Sequence, residues 1–236
     1  MSTFVLVHGA WHGGWCWYKV VVRLARAGHR ALAPDLLGLC TARRPASDVT
    51  LDGWVAQICA LIEREPEPVV LVGHSRGGIV VGGVAERMPE RIARLVYLAA
   101  AMPRDGQSML DAIGGAPPVA LTGQIARGPE DGTMVVADAA IEPAFYGDCS
   151  DEDVALAKLL LTPEPMAASA TPVRISAERW GRVPRDYIEC LRDQAIHIDA
   201  QRAMHMSFPG TRVLAIDSDH SPFFSHPDAL VGHLLA

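Results

Sequence analysis

The 236-residue chain lacks the features that mark several classes of protein. Its longest basic runs are pairs such as Arg43-Arg44 and its formal net charge is -6, which argues against a nucleic-acid-binding surface. No apolar stretch reaches the roughly 18 residues that a membrane-spanning helix needs. No basic segment with a cleavage site precedes the first apolar run, so we expect a protein that is neither exported nor bound to a membrane.

The cysteine pattern excludes two further kinds of site. None of the cysteines forms a CxxC pair, which zinc-binding and redox-active motifs require. An odd number of widely spaced cysteines favours buried free thiols in a reducing, cytoplasmic setting. We therefore expect neither a metal nor an organic cofactor. The five residues are Cys16, Cys40, Cys59, Cys149 and Cys190.

Short β-rich runs alternate with helical patterns along most of the chain. The apolar runs Phe4–Val7 and Val69–Val72 are typical of strands buried on both faces, and each is followed by a helical pattern. This alternation predicts an α/β fold with a mostly parallel sheet flanked by helices. It is interrupted by a Pro-, Gly- and Ala-rich stretch whose one clear helix start is Ser150. We therefore predict a core domain of residues 1–102 and 181–236, with residues 103–180 inserted as a mostly helical cap.

One motif lies where such a sheet places catalytic groups. Gly73-His74-Ser75-Arg76-Gly77 fits G-x-S-x-G and lies between a strand pattern and a helical pattern, as a nucleophile elbow requires. Ser75 would occupy a sharp, strained turn, and the two glycines would let neighbouring segments approach. The Arg76 backbone N–H would then face a developing oxyanion at a helix N-terminus. The motif predicts a serine hydrolase of the α/β-hydrolase type.

A serine nucleophile needs a general base, which lies late in the chain when the order is Ser, Asp, His. His220 follows the predicted strand Val213–Ile216 and falls at its carboxyl end, so we predict that it is the base. The other late histidines are less well placed, three of them on predicted helices: His197, His205, His226 and His233.

The acid that orients His220 has more than one candidate. Asp193 follows a predicted strand over residues 186–190 and is the preferred acid. Asp105 follows the preceding strand and is the alternative. Asp217 and Asp219 are too close in sequence to His220 for the usual geometry, so we expect them to brace its loop.

The loop after the first strand is the candidate source of a second oxyanion donor. It begins His8-Gly9-Ala10, and the donor would be the Ala10 backbone N–H, with His8 shaping the loop. His12 in the same loop is a candidate substrate-binding residue. Four cap residues are further candidates for the wall of an apolar pocket: Phe145, Tyr146, Met109 and Met166.

Several segments resemble the plant methyl esterase and hydroxynitrile lyase family, of which bacterial esterases are similar members. The likeness covers most of the chain and is carried by residues 4–17, 73–78, 149–157, 187–193 and 219–220. It implies a serine esterase that cleaves small carboxylic esters, methyl or aryl/alkyl esters among them, through an acyl-enzyme. A small-molecule ester is the implied partner, and a homodimer is left open.

The family includes two chemistries, and two positions bear on the choice. Its hydroxynitrile lyases carry a Thr on the oxyanion loop and a Lys directly after the catalytic His, and here those positions are Ala10 and Ser221. The Lys charge would stabilise departing cyanide, so its absence favours hydrolysis. Cyanohydrin cleavage is the alternative, and a non-catalytic ligand-binding protein of the same fold is a third reading.

Arg76 is unusual for the family, whose members often have Leu, Phe or Cys after the nucleophile. Its backbone N–H can still serve as an oxyanion donor. We expect its side chain to fold away from the pocket, with contact to a substrate carboxylate as the alternative.

Overall fold

The structure, a computed structural model, describes residues 1–236. Its strands are β1 (Thr3–Val7), β2 (Arg30–Leu32), β3 (Val69–His74), β4 (Ile92–Leu98), β5 (Ile125–Arg127), β6 (Thr133–Val136), β7 (Glu164–Pro165), β8 (Arg185–Cys190) and β9 (Arg212–Ile216). Its helices are α1 (Tyr18–Arg26), α2 (Leu51–Ile62), α3 (Gly77–Arg87), α4 (Met109–Ile113), α5 (Asp138–Phe145), α6 (Asp151–Leu160), α7 (Met166–Ser169), α8 (Ile198–Met206), α9 (Pro222–Ser225) and α10 (Pro227–Leu235). None of these helices is both long and apolar enough to cross a membrane.

Six strands form one parallel sheet in the order β2-β1-β3-β4-β8-β9. The chain first moves outward from β1 to β2 and then crosses back, so that β3 lies on the other side of β1. The strand order therefore reverses between β1 and β3, and a crevice opens at the carboxyl ends of these two strands. The predicted oxyanion loop follows β1 and the predicted elbow follows β3, so the topology brings both to the same crevice.

The core lies on both faces of this sheet. Along β1, Val5 and Val7 belong to one apolar cluster, whereas Phe4 and Leu6 belong to the other. Helices α2, α3 and α8 contribute to the first cluster, and α1, α9 and α10 contribute to the second. Because a strand sends successive side chains to opposite faces, a strand covered on both sides must be apolar throughout. The continuous apolar runs in the sequence have this origin.

Local sequence signals account for several helix ends. The Thr50 side chain accepts a hydrogen bond from the Gly53 N–H at 3.0 Å and so caps α2. Ser150 accepts from the Asp153 N–H at 3.3 Å and caps α6. Gly28 follows α1 with φ at +82°, the left-handed conformation that ends many helices.

Residues 103–180 lie between β4 and β8 and form the region predicted as a cap. Helices α4 to α7 lie there, together with a small antiparallel sheet in the order β5-β6-β7. The sequence predicted a mostly helical insertion and did not indicate this sheet. Strands of two to four residues are too short to produce a recognisable alternation of apolar and polar side chains.

Candidate active site

The turn between β3 and α3 holds Ser75 in a strained conformation. Its φ is +53°, in the left-handed region that non-glycine residues seldom adopt. The Ser75 N–H donates to the Leu98 carbonyl at 3.2 Å, and the Ser75 carbonyl accepts from the N–H groups of Gly78 (3.1 Å) and Ala101 (2.9 Å). These bonds tie the turn to β4 and to the residues that follow it, and they hold the strain in place.

Two glycines allow the loop after β1 to lie against this turn. A Cβ at Gly77 would lie 2.8 Å from the carbonyl oxygen of Val7 and 2.9 Å from that of His8. A Cβ at Gly9 would lie 2.9 Å from Ser75 Cβ and 3.4 Å from Ser75 Oγ. Because real Cβ atoms essentially never come within 3.0 Å of a backbone oxygen or of another Cβ, only glycine permits both approaches. The predicted oxyanion loop therefore lies directly beside the predicted nucleophile.

Asp193 and His220 are joined by a hydrogen bond of 2.7 Å between Oδ2 and Nδ1. The other carboxylate oxygen, Oδ1, accepts from the N–H groups of Ala195 (2.7 Å) and Ile196 (2.8 Å). Gln201 donates to Oδ2 at 3.0 Å. Since a carboxylate only accepts, His220 carries its proton on Nδ1 and leaves Nε2 free to accept one. This is the tautomer that a general base at His220 would need.

His74 connects this pair to the elbow. Its Nε2 donates to the His220 carbonyl at 2.9 Å, and the two imidazole rings lie 4.5 Å apart. Burial, followed by the nearby His220, lowers the pKa of His74 well below its usual value, so His74 adds no positive charge there. His220 makes its hydrogen bonds to Asp193 and His74 and none to the Ser75 hydroxyl. Hydrogen bonds of this catalytic kind commonly tighten only when substrate is bound.

The other late histidines and acids are engaged elsewhere. Asp105 accepts from the Ile175 N–H and has an exposed carboxylate. Asp219 is buried beside His220 and accepts from the N–H groups of Asp148 and Ser221 and from the Ser225 hydroxyl, so it braces the loop. Asp217 is exposed and paired with Arg192. The alternative histidines each have another partner. His197 accepts from the Asp199 N–H on α8, and His205 contacts Glu189 on β8. His226 contacts the Ser225 hydroxyl, and His233 contacts the Ala215 carbonyl on β9.

Both predicted oxyanion donors are free to bind a ligand oxygen. Ala10 and Arg76 are buried, and the backbone N–H of neither has an acceptor within the protein. Buried backbone N–H groups without a partner are rare in folded proteins. Two of them beside one strained serine therefore indicate a site for an oxygen atom that the chain itself does not supply.

Neutral histidines hold the oxyanion loop. His8 Nε2 accepts from the Leu36 N–H at 3.1 Å, and its Nδ1 donates to the Gly9 carbonyl at 2.8 Å. Burial, with the nearby Arg76 charge, lowers the pKa of His8 to about 3. The ring is thus neutral at pH 7 and serves as a bridge between the loop and the segment that follows β2.

His12 and Tyr146, two of the predicted substrate-binding residues, lie behind the oxyanion loop. The Tyr146 hydroxyl donates to His12 Nε2 at 2.6 Å, and His12 Nδ1 donates to the Ala10 carbonyl at 2.6 Å. Burial lowers the pKa of His12 to about 4. In this structure these two side chains support the loop and do not line the cavity at Ser75, whereas Phe145 does line it.

That cavity has a volume of about 70 Å³ and an apolar wall. Ser75 and Ser169 contribute its only polar side chains, and no charged residue lines it. Both methionines named from the sequence, Met109 and Met166, are on its wall. The full lining is Ala10, Trp11, Ser75, Met109, Leu110, Ile113, Leu121, Ile125, Phe145, Met166, Ser169, Ala195 and Ile196.

The Arg76 side chain folds away from the cavity, which is the first of the two expectations. Its Nε lies 2.8 Å from Glu164 Oε1, and both side chains are fully buried. Its Nη2 donates to the Gly9 carbonyl at 2.9 Å. The guanidinium also stacks on Trp54, with Cζ 4.2 Å from the ring centroid.

Two polar residues of the site, Gln201 and Glu164, are not predicted from the sequence. Gln201 faces inward on α8 between the buried residues Ala200 and Met204, and a polar residue at such a position was a usable signal. Glu164 stands between two prolines in the cap, and nothing local indicates that it reaches Arg76.

Comparison with known proteins decides the family. The sequence model described as "Alpha/beta hydrolase family" matches residues 4–233, which is nearly the whole chain. The chain belongs to the alpha/beta hydrolase family. The hydrolase is 35% identical to Methylesterase 1 of Arabidopsis thaliana, with 98% of this chain and 94% of that protein covered.

Two further relatives narrow the assignment. Putative methylesterase 12, chloroplastic, of Arabidopsis thaliana is 33% identical, with 98% of this hydrolase and 70% of that protein covered. The crystal structure of polyneuridine aldehyde esterase superposes with a TM-score of 0.90 at 30% identity, covering 100% of this chain and 98% of that one. The predicted fold and the methyl esterase resemblance are confirmed, and the protein is a carboxylic ester hydrolase. Its cytoplasmic location stays a prediction.

Proposed function

We propose that this hydrolase cleaves small carboxylic esters with apolar acyl groups, methyl esters among them, through an acyl-enzyme on Ser75. The observation that carries the proposal is the pair of free N–H groups, of Ala10 and Arg76, beside a strained serine. The hydrogen-bonded Asp193–His220 pair at the same end of the sheet supports it. So do the names of the similar proteins, which include methylesterases and polyneuridine aldehyde esterase.

The proposed reaction has two halves. Ser75 Oγ attacks the ester carbonyl carbon while its proton moves to His220 Nε2, and the resulting tetrahedral intermediate expels the alcohol, which takes that proton. Water then attacks the acyl-enzyme, His220 again accepts a proton and returns it to Ser75, and the carboxylic acid leaves. Asp193 stabilises the imidazolium in both halves and keeps Nε2 directed toward the reacting atoms.

The negative charge of each tetrahedral intermediate would rest on the two free N–H groups. The Arg76 N–H lies at the N-terminus of α3, where the helix dipole favours negative charge. Loss of one such donor typically lowers the rate by about 10²–10³. These groups are fixed by the fold before substrate binds, so they need no reorganisation as the charge develops.

The cavity wall defines the substrate class that we propose. Met109, Phe145 and Met166 supply apolar contacts for an acyl group, and the Ser169 hydroxyl is the one polar side chain besides the nucleophile. No cation faces the cavity, because Arg76 is paired with Glu164. Acyl groups that carry their own carboxylate are thus poor candidates. A departing cyanide would likewise meet no positive charge, so nothing here favours the hydroxynitrile lyase reaction.

The test is replacement of the nucleophile. Ser75→Ala should lower turnover of a p-nitrophenyl ester by at least about 10³-fold and abolish labelling by a fluorophosphonate probe. Ser169→Ala, which removes the other hydroxyl of the same cavity, is the matched control and should keep the labelling. Near-wild-type turnover by Ser75→Ala would refute the mechanism. Release of benzaldehyde and cyanide from mandelonitrile at a comparable rate would instead support the lyase.

A further inference from the structure

The two peptide units that flank Ala10 contain four polar backbone groups, of which three are paired within the protein and one is not. The Gly9 carbonyl accepts from both His8 Nδ1 and Arg76 Nη2, which fills both of its acceptor positions. The Ala10 carbonyl accepts from His12 Nδ1. The Trp11 N–H donates to Glu164 Oε2 at 2.9 Å. The unpaired group is the Ala10 N–H.

Because the peptide unit is planar, these contacts determine the direction in which the Ala10 N–H points. The Gly9 carbonyl and the Ala10 N–H belong to one peptide group, and in a trans peptide the two bonds point in opposite directions. The chain contains no cis peptide bond. Arg76 holds the Gly9 oxygen on its own side of the loop, so the Ala10 N–H must point away from the guanidinium. Ala10 lines the cavity that contains Ser75.

The next peptide group is held by the other partner of the ion pair. The Trp11 N–H is bound by Glu164, while the carbonyl of the same peptide is bound by His12. Trp11 itself has φ at +62°, a strained conformation that persists only where surrounding contacts enforce it. Glu164 lies on β7, in the cap, so the conformation of the oxyanion loop depends on a carboxylate that the cap supplies.

Stability alone does not account for an ion pair in this position. Burial raises the pKa of Glu164 and lowers the pKa of Arg76, and each charge offsets only part of that effect on the other. Arg76 Nη1 is buried and has no hydrogen-bond partner. A well-packed apolar pair in such a setting is often as stable as the charged pair or more so. What apolar side chains lack is the ability to bind the two peptide groups that flank Ala10.

We propose that Arg76 and Glu164 are positioning residues, whose buried ion pair behind the oxyanion loop sets the direction of the Ala10 N–H and makes the oxyanion hole depend on the seated cap. The inference rests on the proposed function, because it assigns a role in stabilising the oxyanion. It also assigns two functions to one residue, since the Arg76 backbone donates to the oxyanion while its side chain orients the other donor.

The test uses neutral double variants, so that no single charge is left buried. Arg76→Leu with Glu164→Leu removes the side-chain hydrogen bonds to the Gly9 carbonyl and to the Trp11 N–H. Arg76→Met with Glu164→Gln keeps an oxygen that can accept from the Trp11 N–H. The matched control is Lys19→Met with Asp153→Asn, since Lys19 Nζ and Asp153 Oδ2, 2.6 Å apart, also link the core to the cap but do not touch the loop. We measure kcat, KM, the melting temperature and the Ki of an aryl trifluoromethyl ketone, which forms a tetrahedral adduct on Ser75.

The Leu pair should lower kcat by about 10–10²-fold, less than complete loss of a donor, with KM changed less than about threefold. The Ki of the ketone should rise in proportion to the fall in kcat, and the Met/Gln pair should show a smaller effect. The Lys19→Met, Asp153→Asn control should keep the wild-type kcat and the wild-type Ki of the ketone. If the Leu pair does not fold, the Met/Gln pair carries the test.

A wild-type kcat in a folded double variant would overturn the inference. So would a loss of kcat that the control pair shares, or one that leaves the Ki of the ketone unchanged. Failure of the proposed function would look different, because Ser75→Ala would then retain turnover in the wild-type background, whatever the Arg76 and Glu164 variants do.

Discussion

Three histidines around Ser75 are neutral connectors and not acid–base groups. His8, His12 and His74 each donate to a backbone carbonyl, and burial keeps their pKa values well below neutrality. His220 differs from them because a carboxylate holds its Nδ1. The partner, more than the degree of burial, therefore distinguishes the proposed base from its neighbours.

The role of Asp193 can be tested with an isosteric amide. In Asp193→Asn, Oδ1 can still accept from the Ala195 and Ile196 N–H groups, which leaves an NH₂ group facing His220 Nδ1 and the Gln201 amide. A donor would then oppose the His220 N–H, and the imidazole would change tautomer. We expect kcat to fall on the order of 10⁴-fold. Because the new NH₂ group also faces the buried Gln201 NH₂ group, we expect some loss of stability, which urea unfolding followed by fluorescence measures separately from kcat.

Asp105→Asn is the matched control, since sequence alone left Asp105 as the alternative acid. Its carboxylate is exposed and contacts Arg174 and the Ile175 N–H. Steady-state kinetics should show wild-type values within about twofold. Equal losses in both variants, or a larger loss in Asp105→Asn, would contradict the assignment of Asp193.

Among the elements, the cap packs on the core through apolar residues of both clusters, and polar contacts also link the two. Lys19 on α1 pairs with Asp153 on α6, and the Trp11 indole donates to the Met134 carbonyl on β6 at 3.0 Å. The ion pair of Arg76 and Glu164 is a further link of this kind. Contacts of this kind depend on direction, so each one specifies how the cap is seated more than it contributes to stability.

Helix α6, which lies in the inserted cap, is tested by removing the hydrogen bond at its N-terminus. Ser150→Ala removes the N-cap acceptor of the Asp153 N–H, which typically costs about 1 kcal/mol and should lower the melting temperature by about 2–4 °C. Ser47→Ala, at an exposed serine outside the cap, should change stability by less than about 0.5 kcal/mol. Equal melting temperatures for the two variants would show that the N-cap hydrogen bond of Ser150 does not contribute to stability.

For the whole molecule, the buried neutral histidines predict loss of stability in mild acid. In the unfolded chain His8 and His12 titrate near 6.5, whereas folding lowers their pKa values to about 3 and about 4. The unfolded state therefore binds more protons between these values, and stability falls as the pH decreases below 6.5. Each histidine should cost about 2 kcal/mol between pH 7 and pH 5, a loss that urea unfolding at the two pH values can measure.

His12→Gln should make this pH dependence shallower, because one of the titrating groups is gone. His233→Gln, at a surface histidine of α10, should leave the dependence as in the wild type. Equal stability of the wild-type hydrolase at pH 7 and pH 5 would contradict the linkage.

Much of this protein could be read from its sequence because the signals are local. The runs in β1 and β3, the helix start at Ser150 and the strand-to-helix turn at Ser75 each depend on residues a few positions apart, and the structure has strands, a helix start and a turn at these positions. The position of His220 after a strand also follows from local order. Alternation of strands and helices then determines the parallel sheet and the edge at which the site lies.

Only the tertiary structure decided which distant groups meet. Asp193 and not Asp105 faces His220, and Gln201 donates a further hydrogen bond to the Asp193 carboxylate. Glu164 reaches the Trp11 N–H across 153 residues of chain. Helix and strand patterns arise from backbone geometry over a few residues, whereas such pairings depend on how cap and core pack, which no short segment encodes.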